Sequence, residues 1–193
     1  MKSAGLAAVA LVCGLGSGCS GHRTADAACE SLRDAVLEAD GIAVFDALLQ
    51  NTQWSVATVQ KLHRQMAASI RHSYPVAEQA AALARLYAAD SDSGRELFLQ
   101  LYSERYAADF RSRVSEQMAV RVEGPGQALC GGEAARPFQL SLGQDRKWGL
   151  SELDREWEDA KLRAFHDVET VEKNVELYRR LGSVSAMGKG GPR

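Results

Sequence analysis

The sequence predicts an α+β fold: N-terminal helices packed on a small antiparallel sheet, with a long C-terminal helix. Three observations lead there. From residue 24 to about residue 117, apolar residues recur at spacings of three and four. At Met118, Val120 and Val122 the period drops to two, and turn signals such as Gly124-Pro125-Gly126 punctuate the next 30 residues or so. From Ser151 onward the helical spacing returns for some 30 residues without a breaker.

The chain opens with Met1 and Lys2, then the apolar, small-residue run AGLAAVALVCGLGSG. That run is short for a membrane span, which needs about 20 apolar residues. A basic start, a short apolar stretch and small residues at its end read as a secretory signal. Thr24 fits the N-cap of a first helix carrying Cys29, Leu32, Val36 and Ala39 on one face. Gly41 breaks it, and IAVFDALLQ forms a short second helix. Val56, Val59, Leu62, Met66 and Ile70 make the stripe of a third helix, which Pro75 ends. The alanine-rich segment 75–90 predicts a fourth helix, and Ser93 with Glu96 forms a capping-box pattern opening a fifth that runs to Phe110. Strands come next at MAVRVEG, QALC, RPFQLSLGQ and KWGL, with Phe138, Leu140 and Leu142 on one face of the meander. In the last helix Trp157, Ala160, Ala164, Val168, Val171, Val175 and Tyr178 repeat at three and four. Acids crowd its start and Arg179-Arg180 its end, which suits the helix dipole. It either docks on the domain or protrudes as an arm for a protein partner.

Composition is that of an ordinary globular chain, 46% hydrophobic and 25% charged, and the formal net charge of −2 offers no basic patch to grip nucleic acid. The small residues before Cys19, followed by polar Ser20-Gly21-His22, resemble the bacterial lipoprotein signal, with Leu15 four positions upstream of the cysteine. The resemblance implies cleavage before Cys19, acylation of its sulfur and then of its amine, and a membrane anchor. Ser20 is unlike the aspartate that retains such proteins at the inner membrane, which implies outer-membrane attachment in a Gram-negative host. An ordinary cleaved signal, or a retained N-terminal helix, are the alternatives. The expected organisation is a signal peptide over 1–18, a lipidated tether over 19–24, an α+β domain over 25–151, a long C-terminal helix over 152–182 and a disordered tail over 183–193.

Of the 4 cysteines, Cys13 leaves with the signal and Cys19 takes the lipid, so Cys29 and Cys130 remain in an oxidising compartment. A disulfide between them is the natural expectation; two separate buried thiols are the alternative. No cysteine–histidine spacing suggests a metal site. His63 and His72 stand nine apart on one helix, pointing in different directions and about 13 Å apart along it, so they cannot share an ion unaided. His22 falls in the tether, and His166 adjoins Asp167 without facing it. His63 beside the apolar stripe reads as a half-buried structural histidine. No GxSxG, P-loop or GxGxxG pattern occurs in a fitting context.

Two stretches, SLRDAVLEADGIAVFDALL (31–49) and RKWGL (146–150), resemble the opening and the late tryptophan-bearing strand of the nuclear transport factor 2-like cone fold. TQWSVATVQKLHRQMAASIRHSYP (52–75) is similar to a segment of uncharacterised bacterial lipoproteins of that general type. Isomerase-like members place an Asp base and a Tyr or Asp acid inside the cone. Asp40, Asp46, Tyr102, Tyr106 and Asp109 are the positions this nominates, and spacing does not separate them from surface acids and core tyrosines. The expectation is therefore a cell-envelope lipoprotein facing the periplasm, with a non-catalytic binding or scaffold domain, no cofactor and no metal. A small-molecule enzyme or carrier using a cone-shaped cavity is the alternative.

Overall fold

The computed structural model describes residues 22–132 and 135–187. The signal, Cys13, Cys19 and the end of the tail lie outside the described residues. Helix α1 (Ala25–Leu37) starts where Thr24 Oγ1 accepts the Ala27 N–H at 3.2 Å. It stops short of Gly41, because Ala39 takes a left-handed conformation at φ 55°. Asp40 then caps α2 (Gly41–Ala47), its Oδ1 accepting the amides of Ile42 and Ala43 at 2.9 and 3.0 Å. Gly41 serves close packing here: a Cβ would lie 2.8 Å from Leu99 and 3.1 Å from Tyr102.

Helix α3 (Gln50–Ser73) buries Val56, Val59, Met66, Ala67 and Ile70, and ends at Tyr74-Pro75. Helix α4 (Val76–Leu83) is shorter than the sequence predicts and buries none of its residues. Its alanines favour helix, but Leu86 and Ala88 turn into the core, and the Ala88 N–H bonds to the His63 ring instead of continuing a helix. The predicted fifth helix is divided. Helix α5 (Gly94–Leu101) is capped by Ser93, while Glu96 reaches back to the Asp92 N–H at 2.7 Å. One π-helical turn (Tyr102–Tyr106) comes next, and α6 (Ala107–Arg113) resumes the α-helix.

Strands β1 (Ala119–Gly124), β2 (Gln127–Gly131), β3 (Phe138–Leu142) and β4 (Trp148–Leu150) form an antiparallel meander in the order 1-2-3-4. Val120, Cys130 and Phe138 align across one row; Ala128, Leu140 and Leu150 align across the next. These residues face α1, which lies against all four strands. The fold is thus α+β, as the two periodicities predict.

Helix α7 (Asp154–Met187) begins two residues later than expected, after a turn in which the Asp154 N–H bonds to Ser151 O. It also continues five residues past 182 into the segment expected to be a disordered tail. Gly182 costs about 1 kcal/mol of helix propensity but keeps its N–H, and no proline intervenes before Met187. Helix α7 lies along α3 in parallel. Thr52 meets Asp154, Ser55 meets Glu158, and Tyr74 meets Tyr178 with ring centroids 4.9 Å apart. The sequence offset barely changes along these contacts, so the helix is docked along the domain rather than standing off as an arm. Its first half joins the main core through Trp157, Ala160 and Ala164. Its second half covers a smaller cluster of Met66, Ile70, Tyr74 and Leu86 with Val168, Val171, Val175 and Tyr178.

Candidate functional site

The polar chemistry of the described residues gathers along the entry to α7. The best-built element is a buried ion pair. Arg113, at the end of α6, and Glu152, in the turn before α7, expose 4% and 6% of their side chains. Nη1 and Nη2 of Arg113 donate to the two Glu152 oxygens at 2.6 and 2.7 Å. Nη1 also donates to Asp109 at 3.1 Å, Nε to Arg136 O and Nη2 to Pro137 O, each at 3.0 Å. All five N–H groups of the guanidinium are therefore used. Its central carbon sits 3.9 Å from the Phe138 ring centroid, a cation–π contact. Burial alone would pull the Arg113 pKa down; Glu152 and Asp109 outweigh it and hold it above the ordinary value. This clamp joins α6, the approach to β3 and the approach to α7. Such an arrangement fixes geometry; a guanidinium with no free donor cannot also bind a ligand.

One turn further on, the Tyr106 hydroxyl donates to Glu156 Oε1 at 2.6 Å. Burial, and then that hydrogen bond, push the Tyr106 pKa up, so the phenol keeps its proton at neutral pH. The π-helical turn offsets the register by one residue, and Phe98, Tyr102, Tyr106, Phe110 and Phe138 form a continuous run of ring contacts beneath it. On the α3 side, Thr52 and Asn51 both bond to Asp154, whose pKa burial raises against the pull of those two bonds.

The residues nominated by resemblance are engaged separately. Asp40 caps α2, Asp46 pairs with Arg95, Tyr102 is packed between Phe98 and Phe110, and Asp109 supports Arg113. Tyr106 meets Glu156 and Asp109 meets the buried Arg113, and Glu156 carries no signal in the sequence. Arg113 and Glu152 are equally silent there. They lie 39 residues apart and read as surface charges; Arg113 is the last residue of α6, where a basic side chain is ordinary.

Among the histidines, His63 is buried at 4% exposure, and its Nδ1 accepts the Ala88 N–H at 3.3 Å, which places the ring proton on Nε2. Burial lowers its pKa, opposed by Asp167. Among the described residues no three His, Cys, Asp or Glu side chains gather as a metal site. Cys29 on α1 and Cys130 on β2 lie with sulfurs 2.05 Å apart and Cα atoms 5.5 Å apart, both buried. Their bond closes a loop across a sequence separation of 101 and ties the first helix to the sheet.

Two surfaces remain. The outer face of α7 shows Leu162, Phe165 and Leu177 at 58%, 49% and 50% exposure. At about 100° per residue these three fall within a sector of roughly 120° opposite the stripe that meets α3. Around them stand Glu169, Glu172, Lys173, Glu176 and Arg180, which line a shallow depression on the helix. The second surface is the end of the sheet where the described chain begins: His22 bridges to Trp148, whose N–H bonds to His22 O at 2.7 Å. No helix among the described residues is long and apolar enough to cross a membrane. No protein-family model, curated protein or solved structure matches this chain.

Proposed function

We propose that the protein is a cell-envelope lipoprotein: an α+β domain anchored through acylated Cys19, which presents a binding surface at the membrane and carries out no reaction of its own. The observation that carries this reading is the placement of Cys19. It closes a basic-then-apolar leader and stands three residues before His22, where the chain is already held against the sheet. In the same reading Cys29–Cys130 is the staple of a domain that folds in an oxidising compartment. The likeness to the nuclear transport factor 2-like cone belongs to this proposal, supported by α1 lying against the four-stranded meander. The ring contacts from Phe98 to Phe138 occupy the space between the sheet and the helices, which favours a scaffold over a cavity-using enzyme or carrier. The binding surface is the outer face of α7, where a protein partner would bury Phe165 and Leu177.

Intact mass of the full chain recovered from membranes tests the anchor. The expected product starts at Cys19, carries a lipid-sized increment and gains two protons on reduction. A product without lipid, or one still starting at Met1, overturns it.

A further inference from the structure

We propose that the sheet end carrying both hairpin turns rests on the bilayer, with Leu142 and Trp148 seated among the lipid headgroups. This rests on the reading that Cys19 is acylated, and adds which face of the domain meets the membrane. His22 is held to β4 by the Trp148 N–H, so the body is pinned at that point. Three residue steps separate Cys19 from His22, and an extended chain spans at most about 3.6 Å per residue, roughly 11 Å in all. The interfacial layer on each side of a bilayer is itself about 5–7 Å thick. A cysteine whose acyl chains enter the hydrocarbon therefore holds Trp148 at, or within a few ångströms of, the headgroups.

Strands β1 and β3 both run toward this end, finishing at Gly124 and Leu142, and β4 starts from it at Trp148. The Leu142 N–H bonds to Gly126 O at 2.9 Å, so the two hairpin turns lie side by side as one rim. The apolar sheet face that is buried at Leu140 and Leu150 continues outward to Leu142 paired with Trp148, where Trp148 still packs against the core and Leu142 emerges from it. Leu142 is 43% exposed, and Val122 on the edge strand β1, beyond β2, is 69% exposed. Arg23, beside the pinned His22, and Arg146, at the tip of the β3–β4 turn, are both exposed. Asp145, the exposed acid of that turn, accepts the Lys147 N–H at 3.1 Å, and Arg23 and Arg146 outnumber it on this rim. A partly buried tryptophan beside the exposed Leu142, with exposed arginines flanking them, matches the interfacial belt of membrane proteins and the pull of anionic headgroups.

The test uses the full-length protein purified from membranes and reconstituted into phosphatidylethanolamine–phosphatidylglycerol vesicles with brominated acyl chains. In a Trp54→Phe background the emitters are Trp148 and the buried Trp157. Bromolipid should quench that variant severalfold more than the Trp54→Phe/Trp148→Phe variant, and Leu142→Glu should reduce the difference without changing the lipid mass. A lipid-bearing protein whose Trp148 is not quenched overturns the orientation while leaving the anchor standing. A protein with no lipid in its intact mass overturns the anchor, and the orientation with it.

Discussion

Replacing Glu152 with Ala should lower the stability of the domain by about 3 kcal/mol, the lower end of the range for breaking a buried ion pair from one side. The lower end applies because Asp109, with 56% of its side chain exposed, still meets Arg113 Nη1 and supplies a partial countercharge. Two of the five guanidinium donors lose their acceptor, and the charge stays buried against Phe110 and Phe138. For a domain of this size about 1 kcal/mol moves the Tm by 2–4 °C, so the expected drop is about 6–12 °C. The cation–π contact at 3.9 Å is untouched by this substitution, so the change isolates the ion pair. Arg113→Met/Glu152→Leu provides the internal control. Removing both charges removes the desolvation problem, so the double variant should recover at least about 1 kcal/mol relative to Glu152→Ala, although the carbonyls of Arg136 and Pro137 lose their donors. Urea unfolding at neutral pH, followed by circular dichroism, measures both. A shift below about 1 kcal/mol for Glu152→Ala, or a double variant no better than the single one, would refute the account of Arg113 as a dehydrated, fully satisfied cation.

Two further outcomes concern the core. The Cys29–Cys130 bond closes a loop across 101 positions, and the chain-entropy relation gives an upper limit of roughly 4.7 kcal/mol for such a loop; Cys130→Ser should lower the Tm under non-reducing conditions, and a reductant should lower the wild type to match while leaving the variant unmoved. His63 should make the domain acid-sensitive. Its folded pKa lies below the ordinary histidine value of 6.5, so the unfolded chain binds the proton more readily, and stability, complete above about pH 7, falls as the pH drops through 6.5. Protonating Nδ1 also removes the acceptor for Ala88. His63→Asn should flatten the stability difference between about pH 7.5 and pH 5, and an unchanged slope would assign the acid sensitivity elsewhere.

The elements legible in the sequence are those whose burial pattern is local. Val56, Val59, Met66 and Ile70 repeat on one helix face, and Phe138 and Leu140 alternate on one strand face, so each element announces its own inner side. The Cys29–Cys130 pair is legible as the two cysteines that remain once Cys13 and Cys19 are expected to serve the leader and the lipid. Features decided by tertiary contacts cannot be read this way. The Ala-rich run after Pro75 looks helical to Asp90, yet it yields at Leu83 because Leu86 and Ala88 gain more by entering the core than an exposed helix gains by continuing. The π-helical turn has no composition of its own; it arises from the need to align Tyr102, Tyr106 and Phe110 on one packed side while Tyr106 reaches Glu156. Arg113 and Glu152 each look like an ordinary surface charge until the meander, within 39 residues of separation, folds them together.

The same contacts bear on the binding role proposed for α7. In the first half of the helix, Glu156 is bonded to Tyr106, Asp154 to Thr52 and Glu158 to both Ser55 and Lys161. Each of these acids is engaged in a bond that orients the helix, and the hydrogen bond from Lys161 lowers the Glu158 pKa. Farther along, Glu176 pairs with Arg180 at 2.8 Å on the outer side while Val168, Val171 and Val175 close over α3. The result is a helix immobilised along one face, with Leu162, Phe165 and Leu177 standing out from the other. A partner docking there would not have to order the backbone it binds, which is where much of the cost of association lies. Phe165→Glu should therefore weaken such an interaction while leaving the stability within about 0.5 kcal/mol of the wild type, since the side chain is half exposed and lies outside both core clusters. A large loss of stability on that substitution would show instead that Phe165 belongs to the fold, and would remove the outer face of α7 as the place where a partner binds.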